Sequence, residues 1–573
     1  MKCRQRLVQS LLMASFSICL VAEPTLADEP WFVDVAETSG IDFQYDNGMS
    51  GEYFFVEIMG AGVGLLDFDN DGLLDIYLVQ AGALAPGIGP DDRAKKDRLY
   101  RNVSYQEDGQ WVMQFEDVTE PSGIDARGYG MGVATGDYNN DGYVDIYVLN
   151  FGANQLWRNN GDGTFSDVTE VTGVGDPRWS VSASFVDLNK NGHLDLMVAN
   201  YVDYALETHQ ACRSATTSQI DYCSPSAYTG IADRLYQNMG DGQFKDISES
   251  SGIAEVARHG LGVIASDFSG DGNIELYVAN DGSPNSHWVY QGEGVWLDDA
   301  FMAGNAVNGG GVMEAGMGVD AGDFNHSGSE DIFITHMRAE TNTLYQNQGN
   351  GWFMDATSQA RLGVPSLSAT GFGTAWFDMD NDGWLDLVVA NGAVVIEDAL
   401  AAAGDPYPYH QPNQLFANQG DGTFAEVSRA AGEAFNASYI SRGLAVGDLN
   451  NDGRPDVVVA NINGPTEVLV NKMETNHQWL GLDLYDRNNE RAMTQAVVWL
   501  LDDEGEKIYR RRSRTDGSYA SAQDPRILFG LGERQGPVSI EIHWPDGSKE
   551  RHNALEANQY HRLTQGSGQL ITE

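Results

Sequence analysis

The chain has 573 residues, and its 83 acidic against 34 basic side chains give a formal charge of −49. Nucleic acid and anionic membrane surfaces are disfavoured as general partners, because an acidic face repels both. The length exceeds one ordinary domain, but repeats can stretch a single architecture that far, and 66 glycines with many short turn motifs point to a β-rich repeat protein.

The N-terminus reads as an export signal. Lys2, Arg4 and Arg6 precede an apolar stretch at 7–22, and Thr25-Leu26-Ala27 supplies a small-residue cleavage site, so residues 1–27 are expected to be removed. An uncleaved anchor is the alternative. Lipidation at Cys19 fits less well, because Phe16-Ser17-Ile18 lacks the usual small residues. No later apolar run is long enough to cross a bilayer, so no membrane span is expected after cleavage. A secreted, periplasmic or cell-surface location follows.

A nine-residue cassette then recurs seven times. Four copies are near-identical, with oxygen side chains at positions 1, 3, 5 and 9 around a tight Gly turn: Asp67, Asp69, Asp71 and Asp75; Asp137, Asn139, Asp141 and Asp145; Asp378, Asp380, Asp382 and Asp386; Asp448, Asn450, Asp452 and Asp456. Three are looser: Asp187, Asn189, Asn191 and Asp195; Asp267, Ser269, Asp271 and Glu275; Asp323, Asn325, Ser327 and Asp331. This is the hard-oxygen cage that Ca²⁺ favours, with a position-7 backbone carbonyl such as that of Leu73 as a further ligand. Acids packed so closely repel one another unless a cation joins them. Up to seven Ca²⁺ ions are expected; each swap in the looser loops removes charge or changes reach, and lowers affinity. EF-hand loops begin alike but need a bidentate Glu at position 12, where this chain has Leu78, Val148, Val389 and Val459. A metal-free turn of Asx residues is the bland alternative.

An apolar run follows each loop, then a Leu-Tyr-x-Asn element (Leu99 to Asn102, Leu235 to Asn238, Leu344 to Asn347), often a Gly-Asp-Gly turn (Gly161, Gly240, Gly420), and a segment like Phe115-Glu-Asp-Val-Thr119. β-Branched and aromatic residues between glycine turns favour strands. Four strands per unit of roughly 50 residues, seven times over, predict an all-β, seven-bladed β-propeller across 28–475, with a stacked solenoid as the alternative. The chain opens with the last strand of a unit at 31–36, and the final unit stops at 468–471 without one. Pairing those segments would close a ring and leave no unpaired outer edge.

Insertions at 80–97, 201–233 and 392–414 share one type of connection, which places them on the face opposite the cassettes. One contains Cys212 and Cys223, expected as a disulfide in an exported protein; Cys–His zinc binding involving His209 is the alternative. His259, His287, Trp179, Tyr201, Tyr204, Tyr228, Tyr407, Tyr409 and His410 also fall in predicted connections, where they either pack the loops or meet a ligand. After about residue 475 the repeat stops. Strand-like runs at 496–501 and 538–543 predict a small β-rich domain over 476–573. Its basic cluster, Lys507, Arg510, Arg511, Arg512 and Arg514, is either a solvated strand face or a contact to an acidic surface such as the propeller itself.

The cassettes and flanking strands resemble the FG-GAP/VCBS repeats of integrin-α-type propellers. The tail, notably 488–495, 517–522, Leu528-Phe-Gly-Leu-Gly532 and His543-Trp-Pro-Asp-Gly547, resembles the ASPIC/UnbV domain. Together they resemble the bacterial branch of the cartilage-acidic-protein-1-like family. Asn489-Glu-Arg-Ala-Met-Thr494 departs from the run expected there, Asn-Arg-Ser-Ala-Ile-Gly. The resemblance implies a calcium-bound extracellular scaffold and supplies no reaction. No Gly-x-Ser-x-Gly elbow, His-Glu-x-x-His helix or phosphate loop occurs. A scaffold that binds an extracellular protein or glycan is therefore the expectation, and a secreted polysaccharide lyase or hydrolase using the propeller mouth is the alternative.

Overall fold

Short runs of β-branched and aromatic residues between glycine turns build seven four-stranded antiparallel sheets. They are seen in a computed structural model that describes residues 30–84, 95–214, 218–487 and 491–571. The expected export signal lies outside the described residues, as do 85–94 of the first insertion and 488–490 of the tail. No helix of the described residues is long and apolar enough to cross a membrane.

Each sheet takes its strands in the expected order. Blade 1, for example, runs Val63–Leu66, Asp75–Leu78, Arg98–Asn102 and Phe115–Asp117. The innermost strands of successive sheets pack side by side, and that of blade 7, Ser441–Gly447, packs against Val63–Leu66 of blade 1. The ring is therefore a propeller, not an open solenoid. Its closure is the expected one: Phe32 pairs with Asn471, Val33 with Val470 and Asp34 with Leu469.

The Phe-x-Asp-Val-Thr segment explains itself. Asp117 accepts the N–H of Thr119 at 2.9 Å, and the Thr119 hydroxyl accepts the N–H of Leu99 at 3.0 Å, which ties the outer strand's exit to its own blade. Asp167 and Thr169, and Asp246 and Ser248, repeat the pattern.

The tail forms a three-stranded and a five-stranded sheet around its own apolar cluster. It is not a detached module, for it reaches into the propeller. An innermost strand is a sheet edge, so its inward N–H groups need acceptors. The segment 515–523 supplies them to six blades and accepts a side-chain hydroxyl from the remaining one, blade 3. Leu65, Val133 and Val319 donate to the carbonyls of Ala522, Ala520 and Ser518 at 3.0–3.1 Å. Ser184 Oγ and Ala265 N both donate to Asp516 at 2.8 Å, Thr374 N to Ser518 Oγ at 3.1 Å, and Val446 N to Gln523 at 2.7 Å. Glycines make the room: a Cβ on Gly62 would lie 2.2 Å from the Ala520 carbonyl oxygen, and one on Gly132 2.9 Å from Ala520 Cα.

From the opposite face the channel is covered by Phe55–Ile58 and the insertions. The Phe55 ring lies 5.4–5.6 Å from those of Trp179, Tyr201 and Tyr228, while Trp179, Tyr201, Tyr204 and Tyr409 are buried. These aromatics pack the loops against one another. Cys212 and Cys223 form the expected disulfide within this layer. Arg442, fully buried, donates to the carbonyls of Ile58 and Gly392 and lies 3.8 Å above the Phe372 ring. Tyr519 crosses from the tail to donate to the Met59 carbonyl at 2.7 Å. Replacing this fully buried ring by Ala should lower unfolding free energy by about 3–5 kcal/mol in guanidinium titrations. A loss below about 1 kcal/mol would show that the channel contact contributes little.

Candidate metal centres

The seven cassettes all connect an innermost strand to the next strand, so they emerge together on one face. Each folds as the same turn. Position 4 and the position-6 glycine are left-handed in every copy, as in Asn70 (φ 59°) with Gly72 (φ 88°) and Asn381 (φ 61°) with Gly383 (φ 98°). In loop 1, Asp67 accepts the N–H groups of Asp71 and Gly72 at 3.0 and 2.9 Å, and Asp71 accepts that of Leu73 at 3.0 Å. Backbone N–H groups thus hold both oxygens of Asp67 and one of Asp71 in place within the turn.

The donor set fits a large hard cation. Carboxylate oxygens from Asp67, Asp69 and Asp71 lie within 4.8 Å of one another, as do those from Asp378, Asp380 and Asp382. Two Ca²⁺–oxygen distances laid end to end span about 4.6–5.2 Å. In the second and seventh loops an amide stands at position 3, and the Nδ2 atoms of Asn139 and Asn450 donate to Asp141 and Asp452 at 2.8 and 3.1 Å. Arg101, 2.7 Å from Asp69, and Arg454, paired with Asp452, place cationic side chains at the margins of loops 1 and 7.

Burial makes these acids costly as bare anions. It pushes the Asp67 and Asp137 carboxyls up to about 6, Asp448 to about 7 and Asp378 to about 8, with Asp69 and Asp71 adding like charge at Asp67. Burial likewise raises the position-9 carboxyls Asp75, Asp145, Asp331, Asp386 and Asp456 well above the usual carboxylate range. A divalent cation reverses this effect by favouring the charged form.

The looser loops depart in graded ways. In loop 3 Asp187 keeps both backbone bonds, to Asn191 and Gly192. In loop 5 Asp323 does the same with Ser327 and Gly328. Loop 4 differs: Asp267 accepts from Gly270 rather than from position 5, while Glu275 reaches back to Phe268 at 2.6 Å, as Asp75 does to Phe68 at 3.0 Å.

The asparagine of Leu-Tyr-x-Asn joins blades, a role its pattern alone did not disclose. Asn159 N donates to Asp145 of its own loop at 2.8 Å, while its Nδ2 donates to the Phe68 carbonyl of loop 1 at 2.8 Å. Asn102, Asn238, Asn347, Asn418 and Asn471 repeat both contacts with their own and the preceding loop. Blade 4 has Tyr290 at the equivalent place. The repeated spacing of Asn after the apolar run was the available signal.

The basic cluster of the tail is not a solvated face. Arg510 and Arg512 hold Glu330 of the propeller at 3.1 and 3.2 Å, and Arg514 holds Asp320 at 2.5 Å. The two guanidiniums draw Glu330 down to about 2 against its burial. Arg511 donates to the Gly383 carbonyl at 2.8 Å, Gly532 N to that of Asn381 at 2.9 Å, and Tyr560 to Asp448 at 3.0 Å. Lys507 alone turns elsewhere, to Glu541 within the tail at 2.8 Å. The tail thus sits on the cassette face.

Of the histidines expected in connections, three have defined surroundings. His287 lies within a blade-4 strand rather than in a connection and is buried, its ring near Asn305 and Phe268. His259 is half-buried and 2.6 Å from the Ser283 hydroxyl. His410 faces Asp405 at 3.5 Å.

Comparison with known proteins agrees with this architecture. The chain matches the FG-GAP-like repeat family over residues 67–148, 137–198, 323–389 and 397–459, and the ASPIC and UnbV family over 486–570. It is 24% identical to human cartilage acidic protein 1 over 86% of this chain and 70% of that one, and 23% identical to the Xenopus tropicalis protein over 91% and 74%. The mouse protein is 26% identical over 58% of this chain, a match that spans 60% of the mouse protein. Among solved structures, an Agrocybe aegerita lectin that recognises non-reducing terminal N-acetylglucosamine aligns with a TM-score of 0.38, at 14% identity over 71% of this chain and 86% of that one. A Bacillus licheniformis rhamnogalacturonan lyase aligns with a TM-score of 0.33, at 12% identity over 73% and 72%. Likeness at those scores carries no functional weight.

Removing Glu330 leaves Arg510 and Arg512 buried without their directly paired carboxylate. Glu330→Ala should therefore cost about 3–5 kcal/mol, and replacing Arg510 and Arg512 by Met in the same chain should restore part of it. Urea unfolding midpoints of the two variants check this.

Proposed function

Because the chain is an FG-GAP-repeat protein with a C-terminal ASPIC and UnbV domain, we propose that it is an exported, calcium-stabilised propeller scaffold that binds an extracellular protein or glycan. The observation that carries the metal half is the pair of three-carboxylate clusters, each with its oxygens within 4.8 Å, set on a turn repeated seven times. Asp67, Asp69, Asp71, Asp75 and the Leu73 carbonyl would hold the ion in loop 1, and the equivalent positions in the other loops. The ion supplies charge that relieves buried acids and ties a loop between two strands; no reaction step is required of it.

The binding half rests on the division of the molecule into two faces. The cassette face is covered by the tail, so the outward surface of the insertions remains for a partner. The buried aromatic layer and the disulfide hold the described residues of the insertions at 201–233 and 392–414 in one arrangement, which lowers the ordering cost of binding. A lyase or hydrolase acting in the propeller mouth is disfavoured, because segment 515–523 and Phe55–Ile58 occupy the channel.

An ion present at 100 times its dissociation constant stabilises by about 2.7 kcal/mol per site. Chelation should lower the melting temperature by many degrees, and Asp382→Ala should release one ion and reproduce part of the drop. Calorimetry with metal analysis measures both; a melting curve indifferent to chelator would remove the stabilising role. On a glycan and cell-wall array, the full chain should be retained without turnover, whereas released oligosaccharide would favour the enzyme.

A further inference from the structure

Position 4 of the cassette, between the ligand positions 3 and 5, is expected to hold no metal, yet it is Asn in loops 1, 2, 6 and 7 and His in loop 5. Its left-handed backbone, φ 56–61° at these five residues, points the side chain away from its own loop. Each one reaches the position-6 glycine carbonyl of the next loop. Asn70 donates to Gly142 at 3.0 Å, Asn140 to Gly192 at 2.9 Å, Asn381 to Gly453 at 2.9 Å and Asn451 to Gly72 at 2.8 Å. His326 Nε2 lies 3.1 Å from the Gly383 carbonyl, its ring stacked on Trp384 and Tyr509.

The links run without interruption from loop 5 through loops 6, 7, 1 and 2 to loop 3. They stop on both sides of loop 4. Lys190 occupies position 4 of loop 3 and makes no such bond among the described residues, and Gly270 of loop 4 has no side chain to offer. Blade 4 also lacks the bridging asparagine, so loop 3 receives no second contact from that side; Asn347 does join loop 5 to loop 4, but at the position-2 carbonyl of Phe268 rather than at the position-6 glycine.

We propose that these six loops bind their cations cooperatively, with loop 4 outside the group. The inference rests on the calcium reading above. An ion that fixes the position-7 carbonyl also fixes the adjoining position-6 peptide, whose carbonyl is the acceptor for the neighbouring loop. The donor, in turn, is correctly aimed only when its own loop holds the left-handed turn. Ordering one loop therefore lowers the conformational cost of ordering the next, which is a positive coupling free energy between sites.

The test uses the full chain, stripped with chelator and titrated with CaCl₂ in a calorimeter. The native chain should fill its sites with a Hill coefficient clearly above 1, on the order of 1.5–3. Asn70→Gly keeps the left-handed turn and removes only the amide, which cuts the series between loops 1 and 2; it should lower the coefficient at unchanged stoichiometry. Gly270→Asn places an amide where the structure has open space around a φ of 74° and should raise the coefficient by joining loop 4 to loop 5. Full stoichiometry with a coefficient of 1 in the native chain overturns the coupling and leaves the calcium reading intact. So does a native coefficient in both variants. A titration with no heat and no bound ion overturns the calcium reading itself, and the coupling with it.

Discussion

Seven sheets that converge on one axis present seven inner edges to each other, and those edges carry N–H groups that water reaches poorly. Much of the molecule follows from satisfying them. A strand of ordinary sequence could not do so, because the blades face the axis from seven directions. The segment 515–523 succeeds by turning as it descends, offering backbone carbonyls to some blades and the side chains of Asp516, Ser518 and Gln523 to others. The small residues Ser518, Ala520, Ser521 and Ala522 let it pass, and Gly62 and Gly132 stand back from it. The tail is thus part of the propeller's core as much as a domain of its own.

That contact orients everything else. With the tail on the cassette face, its arginines meet Glu330 and Asp320, and its backbone and aromatic groups touch loops 6 and 7. Buried ion pairs of this kind contribute specificity of seating more than net stability, since desolvation offsets much of their attraction. The insertions, left on the other face, are joined by aromatic packing and by Arg442, whose guanidinium is satisfied by backbone carbonyls and the Phe372 ring rather than by an acid. One face is built on charge and the other on aromatic packing.

Much of the fold was legible in the chain because the relevant signals are local. A cassette, an apolar run and a glycine turn each specify their own few residues, and repetition supplied the rest. The division of the outer strand between residues near 31 and 471 was visible as a missing piece at one end and a surplus at the other. The candidate ligand positions were legible for the same reason: an oxygen at every second residue around a glycine is a short-range pattern. Less legible were residues whose partners lie in another blade. Asn102, Asn159 and their equivalents stood out as repeated without showing why, and position 4 was passed over because it holds no expected ligand. His287 was misplaced because blade 4 lacks the Leu-Tyr-x-Asn signal that marks its third strand elsewhere.

The amino-acid sequence by itself determined the repeat, its seven copies, the ring closure and the oxygen-rich turns, since each depends on contacts between near neighbours or on the count of units. Only the tertiary structure decided where the tail sits, what fills the axis, which arginines lose their solvent and which asparagines join one loop to the next. Those contacts bring together residues hundreds of positions apart, Asn47 with Asn463 or Ser184 with Asp516 among them. Their geometry is set by the shape of the closed ring, and a linear pattern contains no record of that shape.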